Sequence, residues 1–263
     1  MGARGVGQPV KPTTEKATKT TGKGPAVPGD RAAAGDHPVA SGTPWIAPND
    51  LRVGILGGTF DPIHYGHLAI AEEVREALEL DRILFVPAAR PPHKLDEEVA
   101  PAADRAAMVA LAIAGNPSFA ISRIELERDG PSYTADTIGE LADEAARQRV
   151  ARTLYFIISA EALAAFATWH EPDRILKLAR LAVVPRPGAP LPDATRLMTM
   201  LPGGSAAKSR VDCVATVPLA HSSSEVRARV AAGHSIRYLV PPAVESYIRD
   251  HRLYRSTNPV RTA

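Results

Sequence analysis

The chain has 263 residues, 45% of them hydrophobic, enough for one or two domains with a substantial buried core. Its 31 basic and 29 acidic residues leave a net charge of +2, so the chain as a whole is no polyanion binder and no nucleic-acid partner is expected. A single cysteine, Cys213, excludes an intramolecular disulfide or a cysteine metal cluster, and no apolar run reaches the roughly 20 residues of a bilayer span.

Residues 1–47 hold almost no large apolar side chain and are rich in Pro, Gly, Thr and Ala. Such a segment cannot bury enough surface to offset its ordering entropy, so a disordered tail is expected before a folded domain at 48–263. It lacks the apolar stretch of a signal peptide, and Val6 stands where a myristoylation signal needs Ser or Thr. A soluble cytoplasmic protein is the expectation. Lys11, Lys16, Lys19, Lys23 and Arg4 against Glu15 make the tail basic, which a solvated tail explains better than a nucleic-acid arm.

From residue 48 the pattern alternates. Strands are predicted at Arg52–Leu56, Ile83–Val86, Ala120–Leu126, Thr153–Ser159, Leu181–Pro185 and Val211–Val217. Helix periods lie between several of them. In Leu68–Leu80, Ile70, Val74, Ala77 and Leu78 share one face, opposite Glu72, Glu73, Arg75 and Glu76. Helices are also predicted at Ala102–Ala114, Ala135–Arg147, Ala160–Thr168 and Ser223–Ala232, and Pro187–Lys208 reads as a long loop. Strands alternating with helices imply an α/β fold, a parallel sheet with helices on both faces. Such sheets bind ligands beyond the carboxyl ends of their strands, where connections diverge, and Gly57 and Gly58 occupy that position after the first strand.

The stretch GILGGTFDPIHYGHLAIAEEV, residues 54–74, concentrates the chemistry. It is neither the dinucleotide Gly-x-Gly-x-x-Gly fingerprint nor a P-loop. Its glycines allow close backbone approach to a ligand, and Pro62 fixes φ near the next element. His64 and His67, three apart, are expected to share one face of the first helical turn. Unpaired N–H groups and the positive dipole end make that turn an anion site. The dipole is expected to keep both imidazoles neutral near pH 7, each donating one N–H to charge developing on a phosphoryl group. Zinc is the weaker reading, since only Asp61 stands near as a further ligand.

The continuous string Gly-Gly-Thr-Phe-Asp-Pro-Ile-His-Tyr-Gly-His resembles the His-x-Gly-His motif of the nucleotidylyltransferase superfamily. Its longer form is similar to that of bacterial nicotinate-nucleotide adenylyltransferases. The resemblance extends over residues 52–254, through PAARPPHK (87–94), SYTADT (132–137), FATWHEPDRIL, VVPRPG and the block from HSSSEVRARV to RDHRLY. It implies a Rossmann-like, nucleotidylyltransferase-type sheet. It further implies transfer of the adenylyl group of ATP to nicotinate mononucleotide, giving deamido-NAD and pyrophosphate, as a step of NAD biosynthesis.

By that resemblance, Gly57, Gly58, Thr59, Phe60, His64, His67, Ser159, Glu161, Ser222, Ser223, Ser224 and Arg227 belong to the ATP site. His67 stabilises the α-phosphoryl transition state, and Lys94 and Arg227 add fixed positive charge. Lys94, Tyr133, Thr134 and Trp169 hold the mononucleotide, Trp169 by stacking on the pyridine ring. Ser222, Ser223 and Ser224 are placed to cap the helix carrying Arg227. Tyr133 and Thr134 open a helix whose amides favour a carboxylate over a carboxamide. Mg²⁺ is expected to arrive on the ATP phosphates, with no metal ligand from the protein, because no acidic cluster offers a cage.

Two positions depart from the family. Ser159-Ala160-Glu161 stands for Gly-x-Asp, and His221-Ser222-Ser223-Ser224 for Ile-Ser-Ser-Thr. Both fall in the ATP half. The alternatives are a sister transferase acting on nicotinamide mononucleotide or another phosphate acceptor, and a nucleotide-binding regulator without turnover. The sequence leaves the oligomeric state open.

Overall fold

The computed structural model describes residues 47, 49–90, 99–185, 193, 210–217 and 219–255, all within the compact unit Pro44–Ala263. The expected tail up to residue 46 lies outside the described residues, as do Lys94 and, Asp193 apart, the stretch Pro187–Lys208.

Six parallel strands form one sheet: β1 (Arg52–Gly58), β2 (Arg82–Pro87), β3 (Phe119–Ile121), β4 (Thr153–Ser159), β5 (Ala179–Val184) and β6 (Val211–Cys213). Their spatial order is β3-β2-β1-β4-β5-β6, the doubly wound order that reverses between β1 and β4. Register pairs Gly58 with Pro87 and Ile55 with Phe156, so β1 runs between its two neighbours.

Strand side chains alternate between two cores. Leu154, Phe156 and Ile158 of β4 face one, and Tyr155 and Ile157 face the other. The first core is covered by α3 (Thr134–Arg147), α4 (Ala160–Ala164) and α5 (Pro172–Leu178), through Ile138, Leu163 and Ile175. The second is covered by α1 (Tyr65–Ala77), α2 (Ala102–Ile113), α6 (Ser223–Ala231) and α7 (Pro242–Asp250), through Val74, Met108, Val226 and Val244. The expected two-faced parallel sheet is therefore present.

Several boundaries differ from expectation. β3 stops at Ile121 rather than Leu126, because the Ser122 hydroxyl takes the Ile124 amide and the chain turns at Arg123. β6 ends at Cys213 rather than Val217, one bond after which (Val214 N–H to Val183 O, 2.9 Å) the described ladder stops. α1 begins three residues earlier than its apolar period suggests. α5 and α7 were not expected. Each opens with proline in its first turn, a residue that suits that position because its missing N–H would be unpaired there anyway. Among the described residues, no helix is long and apolar enough to cross a membrane.

Candidate active site

β1 and β4 are neighbours, yet α1 leaves β1 toward one face and α4 leaves β4 toward the other. The crevice at this divergence is bordered by Gly57 and Gly58, which close β1 two residues beyond its expected end at Leu56, by Thr59 after them and by Ser159 at the end of β4. Phe60 turns the chain here with φ 50°, a left-handed conformation that strains a bulky side chain. Its ring is almost fully buried, lying edge-on to His67 (centroids 5.1 Å apart) and tilted on Phe85 (5.9 Å). A Cβ on Gly58 would meet that ring at 3.1 Å, so the glycine makes room for the turn. A cis Asp61–Pro62 bond follows.

The histidines do not both sit in the first helical turn. His64 is the extended N-cap (φ −144°, ψ 171°), and His67 is the third helical residue. The His64 main-chain N–H donates to Nδ1 of His67 at 3.2 Å, the reach-back of a capping box with imidazole in place of carboxylate. The two rings stack 3.8 Å apart. This bond fixes a tautomer: Nδ1 of His67 accepts, so its proton resides on Nε2, the atom left to donate. Burial, then the nearby His221, lowers His64 to about 4; burial, then His64, holds His67 well below the usual 6.5. Both rings are neutral near pH 7, as expected, but burial rather than the helix dipole is the leading cause. Gly66 has a steric role: a Cβ there would lie 3.0 Å from Cε1 and Nδ1 of His64. Nδ1 of His64 is itself buried without a hydrogen-bond partner.

A buried cation supports this loop from behind. Arg105 of α2 is 1% exposed and donates to four main-chain carbonyls: Thr59 (2.7 Å), Ala88 (2.7 Å), Ala89 (3.3 Å) and Ala100 (2.9 Å). It joins the turn after β1 to the turn after β2 and to the entry of α2. Asp61, also buried, accepts at Oδ1 from the Tyr254 hydroxyl (2.7 Å) and the Ala100 N–H (3.2 Å).

From α6, Arg227 donates to the Asp61 carbonyl at 2.7 Å, and the Ser223 hydroxyl to the Pro62 carbonyl at 2.9 Å. Of the three serines, Ser222 is the cap, accepting from the Glu225 N–H at 3.1 Å, while Ser224 Oγ accepts from Arg227 at 3.4 Å. The start of α6 is thus fastened onto the motif loop.

Across the crevice, the Ser132 hydroxyl accepts from the Ala89 and Arg90 amides (3.1 and 3.2 Å), bringing the start of α3 to the end of β2. The N-cap of α3, Tyr133, supplies no side-chain bond to the first amides. Its ring lies 4.4 Å from that of His170, which places Tyr133 and Thr134 beside the turn holding Trp169. Trp169 is partly buried against Phe166 (5.4 Å) and Phe156 (6.0 Å). Ser159 caps α4 by accepting from the Ala162 N–H (3.2 Å), with Glu161 exposed in the first turn. Asp136, His170 and Glu171 cluster nearby, but Arg174 donates to Glu171 (2.9 Å) and lies 3.5 Å from Asp136, so this is a surface ion-pair network.

Residues 55–229 match the family model described as cytidylyltransferase-like. The chain is 50% identical over 203 residues to a "probable nicotinate-nucleotide adenylyltransferase" of Roseiflexus sp., covering 77% of this chain and 98% of that one. A relative of the same printed name from Thermus thermophilus is 46% identical over 206 residues, 78% of this chain and 100% of its own. The chain belongs to the cytidylyltransferase-like family, among the nicotinate-nucleotide adenylyltransferases. A solved structure of Plasmodium falciparum nicotinic acid mononucleotide adenylyltransferase complexed with NaAD superposes with a TM-score of 0.62 at 18% identity, over 78% of this chain and 97% of that one, a likeness of fold.

In this member of the nicotinate-nucleotide adenylyltransferases, the residues singled out from the sequence fall into two groups. Gly57, Gly58, Thr59, Phe60, His64, His67, Ser222, Ser223, Ser224 and Arg227 gather around the loop after β1. Tyr133, Thr134 and Trp169 gather at the start of α3, and Ser159 lies where β4 ends. Sequence reasoning missed Arg105, Tyr254 and the steric role of Gly66. Arg105 left one usable signal, a cation on the apolar face of a predicted helix beside Met108 and Val109.

Proposed function

We propose that the protein transfers the adenylyl group of ATP to nicotinate mononucleotide. A phosphate oxygen of the mononucleotide attacks the α-phosphorus in line, the bond from the α-phosphorus to the bridging oxygen breaks, and pyrophosphate leaves with that oxygen. The attacking phosphate is largely dianionic at pH 7, so no general base is needed, and the protein contributes position and charge stabilisation. The observation that carries this reading is the neutral, stacked histidine pair at the β1–α1 junction, with Nε2–H of His67 left as donor. Family membership and the relatives' names support it.

The residues divide the work. Nε2–H of His67 and the first amides of α1 meet the charge that grows on the α-phosphoryl oxygens, and His64 supports the ring of His67. Arg227 and Lys94 neutralise the phosphate tail. Ser159 and Glu161 border the adenosine end, and Tyr133, Thr134 and Trp169 receive the nicotinate ring, its carboxylate directed to the α3 amides. Asp61, the carboxylate of the histidine loop, has Oδ1 engaged by Tyr254 and Ala100, and among the described residues it belongs to no group of three side chains spaced to share an ion. Mg²⁺ therefore fits as a passenger of the ATP phosphates, where it supplies charge neutralisation. We place the activity in the domain at 48–263.

Purified protein with ATP, Mg²⁺ and nicotinate mononucleotide is expected to form deamido-NAD and pyrophosphate, and to turn over the amide mononucleotide more slowly. Faster use of the amide would overturn the role given to Tyr133 and Thr134. Tight ATP binding without any product would favour a regulator.

A further inference from the structure

Arg227 and Asp61 form an ion pair, but a long one with no hydrogen bond between the charged groups. Nη1 of Arg227 donates to the Asp61 main-chain carbonyl at 2.7 Å and lies 3.7 Å from Oδ2 of the carboxylate, outside hydrogen-bond reach. Oδ2 is buried and has no hydrogen-bond partner. A carboxylate beside a guanidinium ordinarily closes into a two-pronged pair, and such closure would take up further N–H donors of Arg227. The other oxygen is held elsewhere. Oδ1 is pinned between the Tyr254 hydroxyl (2.7 Å) and the Ala100 N–H (3.2 Å), which fixes the plane of the carboxylate. The buried guanidinium of Arg105 interacts with the same carboxylate, so its charge is offset without Arg227.

Tyr254 arrives from the far end of the chain. It follows α7 by a turn held by the Leu253 N–H on the Ile248 carbonyl (3.0 Å), and both Leu253 and Tyr254 pack on the second core. Its backbone is left-handed (φ 60°), a strained choice for an aromatic residue that the surrounding packing maintains. Burial first, and then the bond to Asp61, push its phenol far above the ordinary range, so it remains an O–H donor.

We infer that Tyr254 is a positioning residue for adenylyl transfer: by holding Oδ1 of Asp61 it keeps the Asp61–Arg227 ion pair long, and so leaves N–H donors of the guanidinium for the phosphate tail of ATP. The inference rests on the role given to Arg227 above and adds a residue that acts through Asp61.

The test uses the full chain, with Mg·ATP and nicotinate mononucleotide affinities measured by calorimetry and folding followed by circular dichroism. Tyr254→Phe keeps the ring and removes the donor; it is expected to weaken Mg·ATP roughly five- to tenfold, while mononucleotide affinity stays within about twofold. Asp61→Asn leaves no carboxylate to capture Arg227, so adding Tyr254→Phe to that variant is expected to cost no further ATP affinity. Placing 4-aminophenylalanine at position 254, which keeps both shape and donor, is expected to return ATP affinity to within about twofold of the native chain. Equal weakening of both substrates, unchanged ATP affinity in Tyr254→Phe, additive losses in the double variant, or failure of the amino analogue would each overturn the inference. Because these readouts are binding constants, absence of turnover in the native chain would defeat the proposed reaction without deciding the role of Tyr254.

Discussion

Around the histidine pair, main-chain and side-chain groups are held by buried partners: Arg105 grips four carbonyls, Phe60 fills the turn, and α6 is fastened to Asp61 and Pro62. At the start of α3 the corresponding groups are looser. Tyr133 and Thr134 are half-exposed, His170 is exposed, and Arg174 makes only surface pairs. The half assigned to phosphoryl chemistry is preorganised, as charge stabilisation requires, because donors that must reorient lose most of their advantage. The half assigned to the acceptor has only to bind a ring and a carboxylate, and it can adjust as they arrive. If the contrast is real, damage to the first half lowers kcat and damage to the second raises an acceptor KM.

The largest effect is expected from His67→Ala, which removes the loop donor whose tautomer its bond to the His64 N–H fixes. Loss of a single such donor costs about 10²–10³ in kcat. Steady-state rates check this, and a loss below about threefold would withdraw the catalytic role of His67 and with it the contrast between the halves.

A second consequence concerns stability. The His64 ring is neutral in the fold down to about pH 4, whereas in the unfolded chain it protonates near 6.5. Between those values the unfolded chain binds a proton that the folded chain does not. Stability present above pH 6.5 is therefore lost as pH falls toward 4, by at most roughly 3 kcal/mol for this group, with His67 acting in the same direction. Urea unfolding at pH 7, 5.5 and 4.5 measures the loss. His64→Asn is expected to flatten that pH dependence, and equal slopes in both proteins would refute the assignment.

Gly66→Ala sharpens the same point more gently. The added methyl meets two His64 ring atoms at 3.0 Å, so the ring must move by a few tenths of an ångström. Because His64 stacks on His67, kcat is expected to fall roughly tenfold with little change in either KM. A native kcat in a variant whose fold is intact would mean that the ring pair has slack.

The contrast also governs what could be read from sequence. The glycines and histidines between 57 and 67 were legible because one strand–loop–helix junction carries its chemistry in contiguous residues. The strands alternating with helices after residue 48 likewise announced a two-faced sheet, and in the structure Leu154 and Phe156 face one core while Tyr155 and Ile157 face the other. Arg105 was not legible as a clamp, since its four carbonyls come from separate segments that only the closed fold brings together. Tyr254 meets Asp61 across 193 residues, a partnership that no local period encodes. His64 was misplaced by one position for a local reason: a cap is extended, and Gly66 weakens the helical pattern just where the helix starts. α7 left a readable trace that was passed over, proline at its first position with Val244 and Ile248 four apart.

The smallest change tests the acceptor half alone. Trp169 packs on Phe166 at 5.4 Å and Phe156 at 6.0 Å, so removing it outright would confound binding with repacking. Trp169→Phe keeps an aromatic ring on those neighbours but offers a pyridine ring less surface to stack on. A stacked aromatic pair contributes about 0.5–1.5 kcal/mol, and losing part of it is expected to raise KM for nicotinate mononucleotide roughly threefold. KM for ATP and kcat at saturation are expected to stay within about twofold, because nothing in the histidine loop touches this ring among the described contacts. A matching rise in KM for ATP would mean that the two sides of the crevice are coupled through the β4–α4 turn at Ser159, and that the acceptor half is less independent than its exposure implies.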